Sequence, residues 1–352
     1  MGRTPYKNTN LPPRLRARKR RGKIYYYYDL GGRPRREVSL GSDYISAIQE
    51  WAKREQVSQV ISATFNDAAD LYVVEKLPTK AARTQKDNLK ELPFLREFFG
   101  DAALDEIEPV HIKQFMDWRR KKAREWLIKK GRKVDNESGH VRANRERALF
   151  SHIFNFARGK GLTSSTNPCL GIDTLKESGR DVYVDDATYQ TVWEAADEPL
   201  RDAMDLAYLT GQRPADTVNM TEHDIKDGHL HVRQGKTSTK LRIAVTGELL
   251  SLLNRIRARR ARYKIVTTHL VVNQYGRPVV PRTVAAWLKE VREKTGIDPD
   301  LFQYRDLRAK AGTDTEDSFG IEAAQNQLGH STSRTTAIYV RHRLGKKVLP
   351  TR

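Results

Sequence analysis

Four short stretches decide how this chain is read: TGQRPAD (210–216), QGKTSTKLRIAV (234–245), YRDLRAKAGTD (304–314) and LGHSTSRTTAIY (328–339). Arg213 and Arg308 each present a guanidinium that stays charged and whose planar fork matches two phosphate oxygens. Arg213 follows the Thr-Gly of an expected helix end. Asp216, three residues on, is spaced to hold its guanidinium in one orientation. Lys236 follows Gly235 at the tip of an expected hairpin whose strands are HLHVRQ and KLRIAVT; there a lysine can enter a groove and give up a proton. Lys240 competes for that role. Tyr339 closes the last stretch, nine residues after His330. Ionising a phenol of pKa near 10 at neutral pH costs roughly 4 kcal/mol unless neighbouring cations assist. The set is what a phosphodiester requires: neutralisation of the charge on its non-bridging oxygens, a nucleophile, and an acid for the departing oxygen.

Around these stretches the second half reads as a mixed domain. Helices are expected at 186–197, 200–209 and 247–262, a hairpin across 229–246, and further helices to the end, the last carrying Tyr339. From about Thr64 to Gly171 the reading is helical: Phe65, Ala69 and Val73 form one stripe, Pro109 occupies a first-turn position, and NRERALFSHIFNFARGKG ends at glycine behind basic residues. Residues 172–182 are polar and aperiodic, as a linker is. At the front, IYYYYDL (24–30) and REVSLG (36–41) are strand-like runs joined by GGRP, with RLRARKRR before them as a third strand. Alternation puts two of Tyr25, Tyr26, Tyr27 and Tyr28 on each face. A helix follows, with Asp43 as N-cap and Ile45, Ile48 and Trp51 on its inner side. The expected class is α+β and multidomain: a small three-stranded sheet plus helix (1–60), a helical domain (64–172), a linker (172–182) and a mainly helical domain with a small antiparallel sheet (183–352).

Composition points to a polyanionic partner. The 352 residues carry a formal charge of +20, and residues 1–40 hold 12 Lys or Arg against 2 Asp or Glu. Half of the net charge thus sits in about a ninth of the chain, which marks a contact surface rather than a uniformly basic protein. Its members are Arg14, Arg16, Arg18, Lys19, Arg20, Arg21, Lys23, Arg33, Arg35 and Arg36. The single cysteine, Cys169, rules out an internal disulfide and a cysteine-based zinc site, and the scattered histidines lack paired metal-ligand spacing. No apolar run of membrane-spanning length and no signal-like N-terminus are present, so a cytoplasmic protein is expected.

In order and spacing, the four stretches resemble the catalytic boxes of the tyrosine recombinases, specifically phage integrases of the lambda type. TGQRPAD resembles the box with the first arginine, QGKT the hairpin lysine, RDLR the box with the second arginine, and LGHSTSRTTAIY the histidine and nucleophilic tyrosine. LPPRLRARKRRGKIYYYYDLGGRPRREVSLGSD is similar to the N-terminal domain that binds arm-type sites. NRERALFSHIFNFARGKGLTSSTNPC resembles the end of the helical core-binding, SAM-like domain. The resemblance implies that Tyr339 attacks the scissile phosphate, that Arg213, Arg308 and His330 stabilise it, and that Lys236 protonates the 5′ oxygen. A 3′-phosphotyrosyl link and then a Holliday junction would follow, without metal, ATP or other cofactor. It also implies a homotetramer on double-stranded DNA, a host DNA-bending protein and an excisionase as accessory partners, a nucleoid-associated location in a bacterial host, and a C-terminal tail, LGKKVLPTR (344–352), that packs on a neighbouring protomer. One position departs: Arg305 stands where the second box usually has histidine, so that general base has no occupant, and Arg305 is expected instead as a third cation near the phosphate.

Three other readings compete, one of them a single-site resolvase of chromosome dimers, a class that generally lacks the N-terminal arm-binding module. A non-catalytic DNA-binding protein explains the charge but not the full set of boxes. A type IB topoisomerase shares the chemistry but has no use for a second DNA-binding module at the N-terminus.

Overall fold

The computed structural model describes residues 11–58, 63–264 and 267–341. The chain divides into two compact units, Met1–Ser178 and Gly179–Arg352. The C-terminal segment 344–352 lies outside the described residues, and so does its expected packing.

The first unit begins with an antiparallel sheet of order β1-β2-β3, formed by Leu15–Arg20 (β1), Lys23–Gly31 (β2) and Arg36–Gly41 (β3), and helix α1, Tyr44–Ser58. Alternation sorts the tyrosines as expected: Tyr26 and Tyr28 are buried, while Tyr25 and Tyr27 are half-exposed on the other face. Register places Arg16 opposite Tyr27 and Arg18 opposite Tyr25, so that outer face alternates cation and aromatic ring. Asp43 accepts from the Ser46 N–H at 2.7 Å, capping α1. The inner side of α1 differs from expectation. Ile45 is 68% exposed, and the small core is built from Leu15, Tyr26 and Ala47, with Ile48 and Trp51 against it. The reason is local: Trp51 is turned inward by its indole N–H, which donates to the Pro13 carbonyl at 2.8 Å. That fixes a helix face centred on 47, 48 and 51 and leaves position 45 outside it.

The rest of this unit is helical: α2 (Phe65–Leu71), α3 (Ala82–Phe99), α4 (Pro109–Lys129) and α5 (His140–Gly159). Their core is aromatic, with Phe65, Phe99, Phe115 and Phe150 all buried and Phe65 stacked on Phe150 at 5.2 Å. Inside it Arg119 bonds Glu146 at 2.6 Å; burial pushes the Glu146 carboxyl up to about 7 despite that arginine. The aperiodic stretch after residue 172 is extended but not loose at its start. Asn144 donates to the Leu175 carbonyl and accepts from its N–H, and His140 Nδ1 lies 2.7 Å from the Lys176 carbonyl. Side chains of α5 thus satisfy a backbone that has no ladder of its own.

The second unit contains α6 (Asp186–Ala195), α7 (Glu198–Thr210), α8 (Pro214–Val218), a sheet of order β4-β5-β6 (Ile225–Lys226, His229–Arg233, Lys240–Ala244), α9 (Gly247–Arg260), α10 (Pro281–Thr295), α11 (Asp306–Leu328) and α12 (Ser333–Ala337). Its core gathers Leu200, Met204, Leu253, Val271, Leu288 and Phe302, among others. Two features depart from expectation. Helix α11 breaks at Gly320, whose φ of 85° and ψ of 169° are non-helical, so its second half folds back until Leu328 meets Gly312. Helix α12 stops at Ala337, so Tyr339 lies in the turn beyond it rather than within a helix. Among the described residues no helix is long and apolar enough to cross a membrane, and no cluster of three or more His, Cys, Asp or Glu is placed to hold a metal. Cys169 is buried, and burial pushes its thiol up to about 11.

Candidate active site

The site grows from two helix ends. Gly211 closes α7 with φ of 66°, a conformation that favours glycine, and a Cβ there would meet Gln327 and Leu328 at 3.2 and 3.3 Å. Gly329 closes α11 with φ of 65°, and a Cβ there would sit 2.8 Å from Gln234 Nε2. Each glycine thus makes room for side chains packed against it, Gln327 and Leu328 at Gly211 and Gln234 at Gly329.

Arg308 lies across them. Its side chain, 2% exposed, donates from Nη1 to the Gly211 carbonyl at 2.8 Å and from Nη2 to the Leu328 carbonyl at 2.7 Å. Carbonyls at helix C-termini carry the negative end of the helix dipole and suit a cation. They are not counter-ions, and among the described residues no carboxylate comes within ion-pair distance of Arg308. Burial, with the nearby charge of Arg213 next, lowers the Arg308 guanidinium to about 10. The structure thus maintains a buried positive charge without neutralising it, a costly arrangement that an incoming anion would relieve.

His330 follows Gly329. Its Nε2 lies 2.9 Å from Arg308 Nη2 and its Nδ1 lies 3.1 Å from Thr336 Oγ1. Arginine only donates, so Nε2 accepts, and the ring proton sits on Nδ1 and points to Thr336. Burial, then Arg308 and Arg213, depress the imidazole to about 4, which keeps the ring neutral at ordinary pH. The half-buried Tyr339 ring packs 4.9 Å from the His330 ring, and the Arg308 guanidinium carbon stands 5.3 Å from its centroid. Arg308, His330 and Tyr339 are therefore brought together, although 31 residues separate the first from the last.

Arg213, the residue preceding α8, is held differently from expectation. Its Nη1 donates to Gln234 Oε1 at 2.7 Å, whereas Asp216 Oδ2 is 3.9 Å away. Asp216 instead accepts from the Gly235 N–H at 2.9 Å and so anchors the hairpin turn. The amide oxygen orients the guanidinium at close range, while the Asp216 carboxylate, at the edge of ion-pair distance, offsets its charge only in part. Gln234 is the residue that the motifs alone do not reveal. It is fully buried and also donates to Gln212 Oε1 and the Leu328 carbonyl, each at 2.8 Å. A signal for it exists in the sequence: Leu230 and Val232 face inward from β5, Gln234 continues their alternation one residue past the strand's end, and a buried polar side chain there must be hydrogen-bonded.

Lys236 lies exposed in the loop between β5 and β6, and Lys240 begins β6, also exposed. Arg305, expected as a third cation beside the phosphate, stands outside the cluster: it is exposed and its Nε donates to Gln303 at 3.0 Å. A third guanidinium drawn in beside Arg213 and Arg308 would meet two like charges offset only in part by Asp216, whereas water solvates it at the start of α11. The N-terminal cations lie elsewhere, in the first unit. Arg16 and Arg35 pair with Asp29 and Arg18 pairs with Glu37. Arg14 donates to the Tyr28 hydroxyl at 3.4 Å. Lys19, Arg20, Arg21, Lys23, Arg33 and Arg36 are exposed.

The family model described as "Phage integrase family" matches residues 184–345, the stretch that holds this whole cluster. Over this stretch the chain is similar to phage integrases. Members of this lambda-type tyrosine recombinase family are site-specific enzymes that cleave and rejoin DNA. The integrase of Escherichia phage HK022 is 30% identical over 203 residues, which cover 55% of this chain and 56% of that protein. The integrase of Enterobacteria phage 434 is 25% identical over 363 aligned positions, covering 96% of this chain and 95% of the relative. A lambda integrase tetramer bound to a Holliday junction shares the fold with a TM-score of 0.68 at 22% identity, over 97% of this chain and 99% of that one.

Proposed function

We propose that this protein cleaves DNA through Tyr339 and that its charged cluster is built to bind one phosphate. The observation that carries this reading is Arg308: buried, bonded to two helix-end carbonyls and a neutral imidazole, without a carboxylate, and adjacent to the Tyr339 ring. Tyr339 attacks the scissile phosphorus, and Arg213 and Arg308 take up the charge that develops on the non-bridging oxygens. His330, by accepting from Arg308, fixes the guanidinium plane; turning its Nδ1 proton or its ring toward the phosphate would let it donate as well. Lys236, carried on the hairpin loop, protonates the leaving 5′ oxygen. The phosphate ester energy is kept in a 3′-phosphotyrosyl link, so neither ATP nor a metal is required. A 5′ hydroxyl of the partner duplex then displaces the tyrosine, and two such exchanges through a Holliday junction recombine the sites.

The domain roles follow the same reading. Residues 1–60 bind arm-type DNA through the Arg and Tyr face of the sheet, residues 64–172 bind the core site, residues 172–182 link them to residues 183–352, and a homotetramer assembles on paired sites. A host bending protein and an excisionase would set direction, and recombination takes place at the bacterial nucleoid in the cytoplasm.

The test is a nicked, end-labelled duplex carrying a site that the protein binds, incubated in the presence of chelator and resolved on a denaturing gel. The unmodified protein should give a covalent protein–DNA band that Tyr339→Phe cannot form. No band on a bound site would overturn the catalytic reading.

A further inference from the structure

The face of α11 turned away from the site carries Asp306, Lys310 and Asp314, spaced at i, i+4 and i+8, while Arg308 falls about 160° around the helix from their mean direction. Each of the three grips the strand of chain that opens the second unit, residues 180–186. Arg180 Nε donates to both carboxylate oxygens of Asp306, at 2.8 and 3.0 Å, and its Nη2 adds bonds to Asp306 at 2.8 Å and to the Asp300 carbonyl at 2.9 Å. Lys310, with a side chain only 1% exposed, reaches Asp186 at 2.5 Å and Asp314 at 3.1 Å. The Tyr183 hydroxyl donates to Asp314 at 2.7 Å, and the Tyr208 hydroxyl of α7 donates to the other oxygen of the same carboxylate at 2.7 Å. Asp181, in the same strand, lies 3.4 Å from the guanidinium of Arg341, two residues after Tyr339, and the Arg341 N–H donates to Thr313 of α11 at 2.9 Å.

We infer that residues 180–186 form a strap that sets the position of Arg308 and Tyr339, with Arg180 and Lys310 as positioning residues for the cleavage step. The strap fixes the rear of the helix that presents Arg308 and the chain immediately behind Tyr339, and Asp314, which Tyr183 of the strap holds, is also the acceptor for Tyr208 on the helix whose Gly211 carbonyl receives Arg308. None of its residues touches the reacting atoms. A buried lysine with two carboxylates and a bidentate arginine are more than a linker needs to be tethered. They specify one rotation of α11, and a guanidinium displaced by about an ångström loses much of its catalytic value.

The inference rests on the recombinase reading, and the experiment separates the two. Full-length Arg180→Ala, Arg180→Lys and Lys310→Met are compared with the unmodified protein for affinity by mobility shift, for melting temperature, and for the single-turnover rate of covalent-complex formation on the nicked duplex at saturating protein. Arg180→Ala should bind with near-normal affinity yet form the covalent complex at least about tenfold more slowly, and millimolar guanidinium ion should restore part of that rate while leaving the unmodified protein unchanged. Arg180→Lys, which keeps the charge but not the fork, should fall between. If Arg180→Ala and Arg180→Lys both react at the normal rate, or if rate, affinity and melting temperature fall together without rescue, the strap is merely structural and the inference fails. If the unmodified protein forms no covalent complex, the recombinase reading fails first.

Discussion

The arginines of the N-terminal sheet and those of the candidate active site do opposite work. On the N-terminal sheet Arg16, Arg18 and Arg35 lie at the surface and meet the carboxylates of Asp29 and Glu37. In that site Arg213 and Arg308 are largely buried and bond an amide oxygen, an imidazole nitrogen and two main-chain carbonyls, with one carboxylate, Asp216, 3.9 Å from Arg213 and none within ion-pair distance of Arg308 among the described residues. Between these two sites the arginines are closely paired where water already screens them, and Arg308 is left without a carboxylate where screening is weakest. A surface cation contributes to DNA affinity in common with its neighbours, so the loss of one is shared. A buried cation held open by neutral acceptors has no substitute.

Arg308 puts this contrast at greatest risk. Arg308→Ala should reduce the rate of covalent-complex formation about a thousandfold or more while site binding is largely kept. Arg308→Lys should do little better, because one ammonium cannot span the Gly211 carbonyl, the Leu328 carbonyl and His330 at once. A lysine variant within a few-fold of normal would mean that the fork geometry is irrelevant.

Next in size is Gln234. Gln234→Ala frees Arg213 and leaves the Leu328 carbonyl with one donor fewer, so cleavage should fall about ten- to a hundredfold, with a stability cost of about 1–3 kcal/mol. Gln234→Glu isolates the charge. It would turn the neutral acceptor of Arg213 into a counter-ion and, if the open charge matters, should impair cleavage although Arg213 remains held. Equal activity of Gln234→Glu and the unmodified protein would mean that a neutral amide is not required at this position.

Gln234 also marks how far the sequence could be read. The four boxes made Arg213, Arg308, His330 and Tyr339 legible because their chemistry is carried by residue type and spacing, and period-two alternation resolved the tyrosine run of the sheet. The support around them was not legible. That Arg213 leans on Gln234 rather than Asp216 depends on a 2.7 Å against a 3.9 Å separation across a turn. That α11 folds back depends on one non-helical glycine, Gly320, and that Arg305 stays in water depends on what already fills the site beside it. Ile45 was misplaced for the same reason, since an indole bond to Pro13 outweighed the apolar stripe.

His330 gives a pH test. Its folded-state value of about 4 lies below the ordinary 6.5 or so of an unfolded histidine. A depressed group contributes stability above the unfolded value, and that contribution is lost as pH falls from about 6.5 through 4, because the unfolded chain takes up a proton that the folded site resists. Melting curves of the unmodified protein and of His330→Gln should therefore converge as pH is lowered across that window. A separation that stays constant would show that the ring is not held neutral. The same value predicts no inflection from His330 in the cleavage rate between pH 6 and 8.

The smallest effects are expected back on the sheet, where they complete the contrast. Lys19, Arg20, Arg21 and Lys23 crowd the β1–β2 turn, and among the described residues none of them has an ion-pair partner. Replacing any one by alanine should weaken arm-site binding only modestly and lower the slope of log affinity against log salt by about one, with core cleavage untouched. Arg16 and Arg35 share Asp29, so the three groups together bring a single net positive charge to the surface. Removing Arg16 leaves Arg35 to neutralise Asp29 and should change the slope by about the same single charge, whereas removing Asp29 should steepen it. A salt slope indifferent to all of these changes would mean that the sheet does not meet phosphates, and the division of labour between screened and unscreened arginines would have to be redrawn.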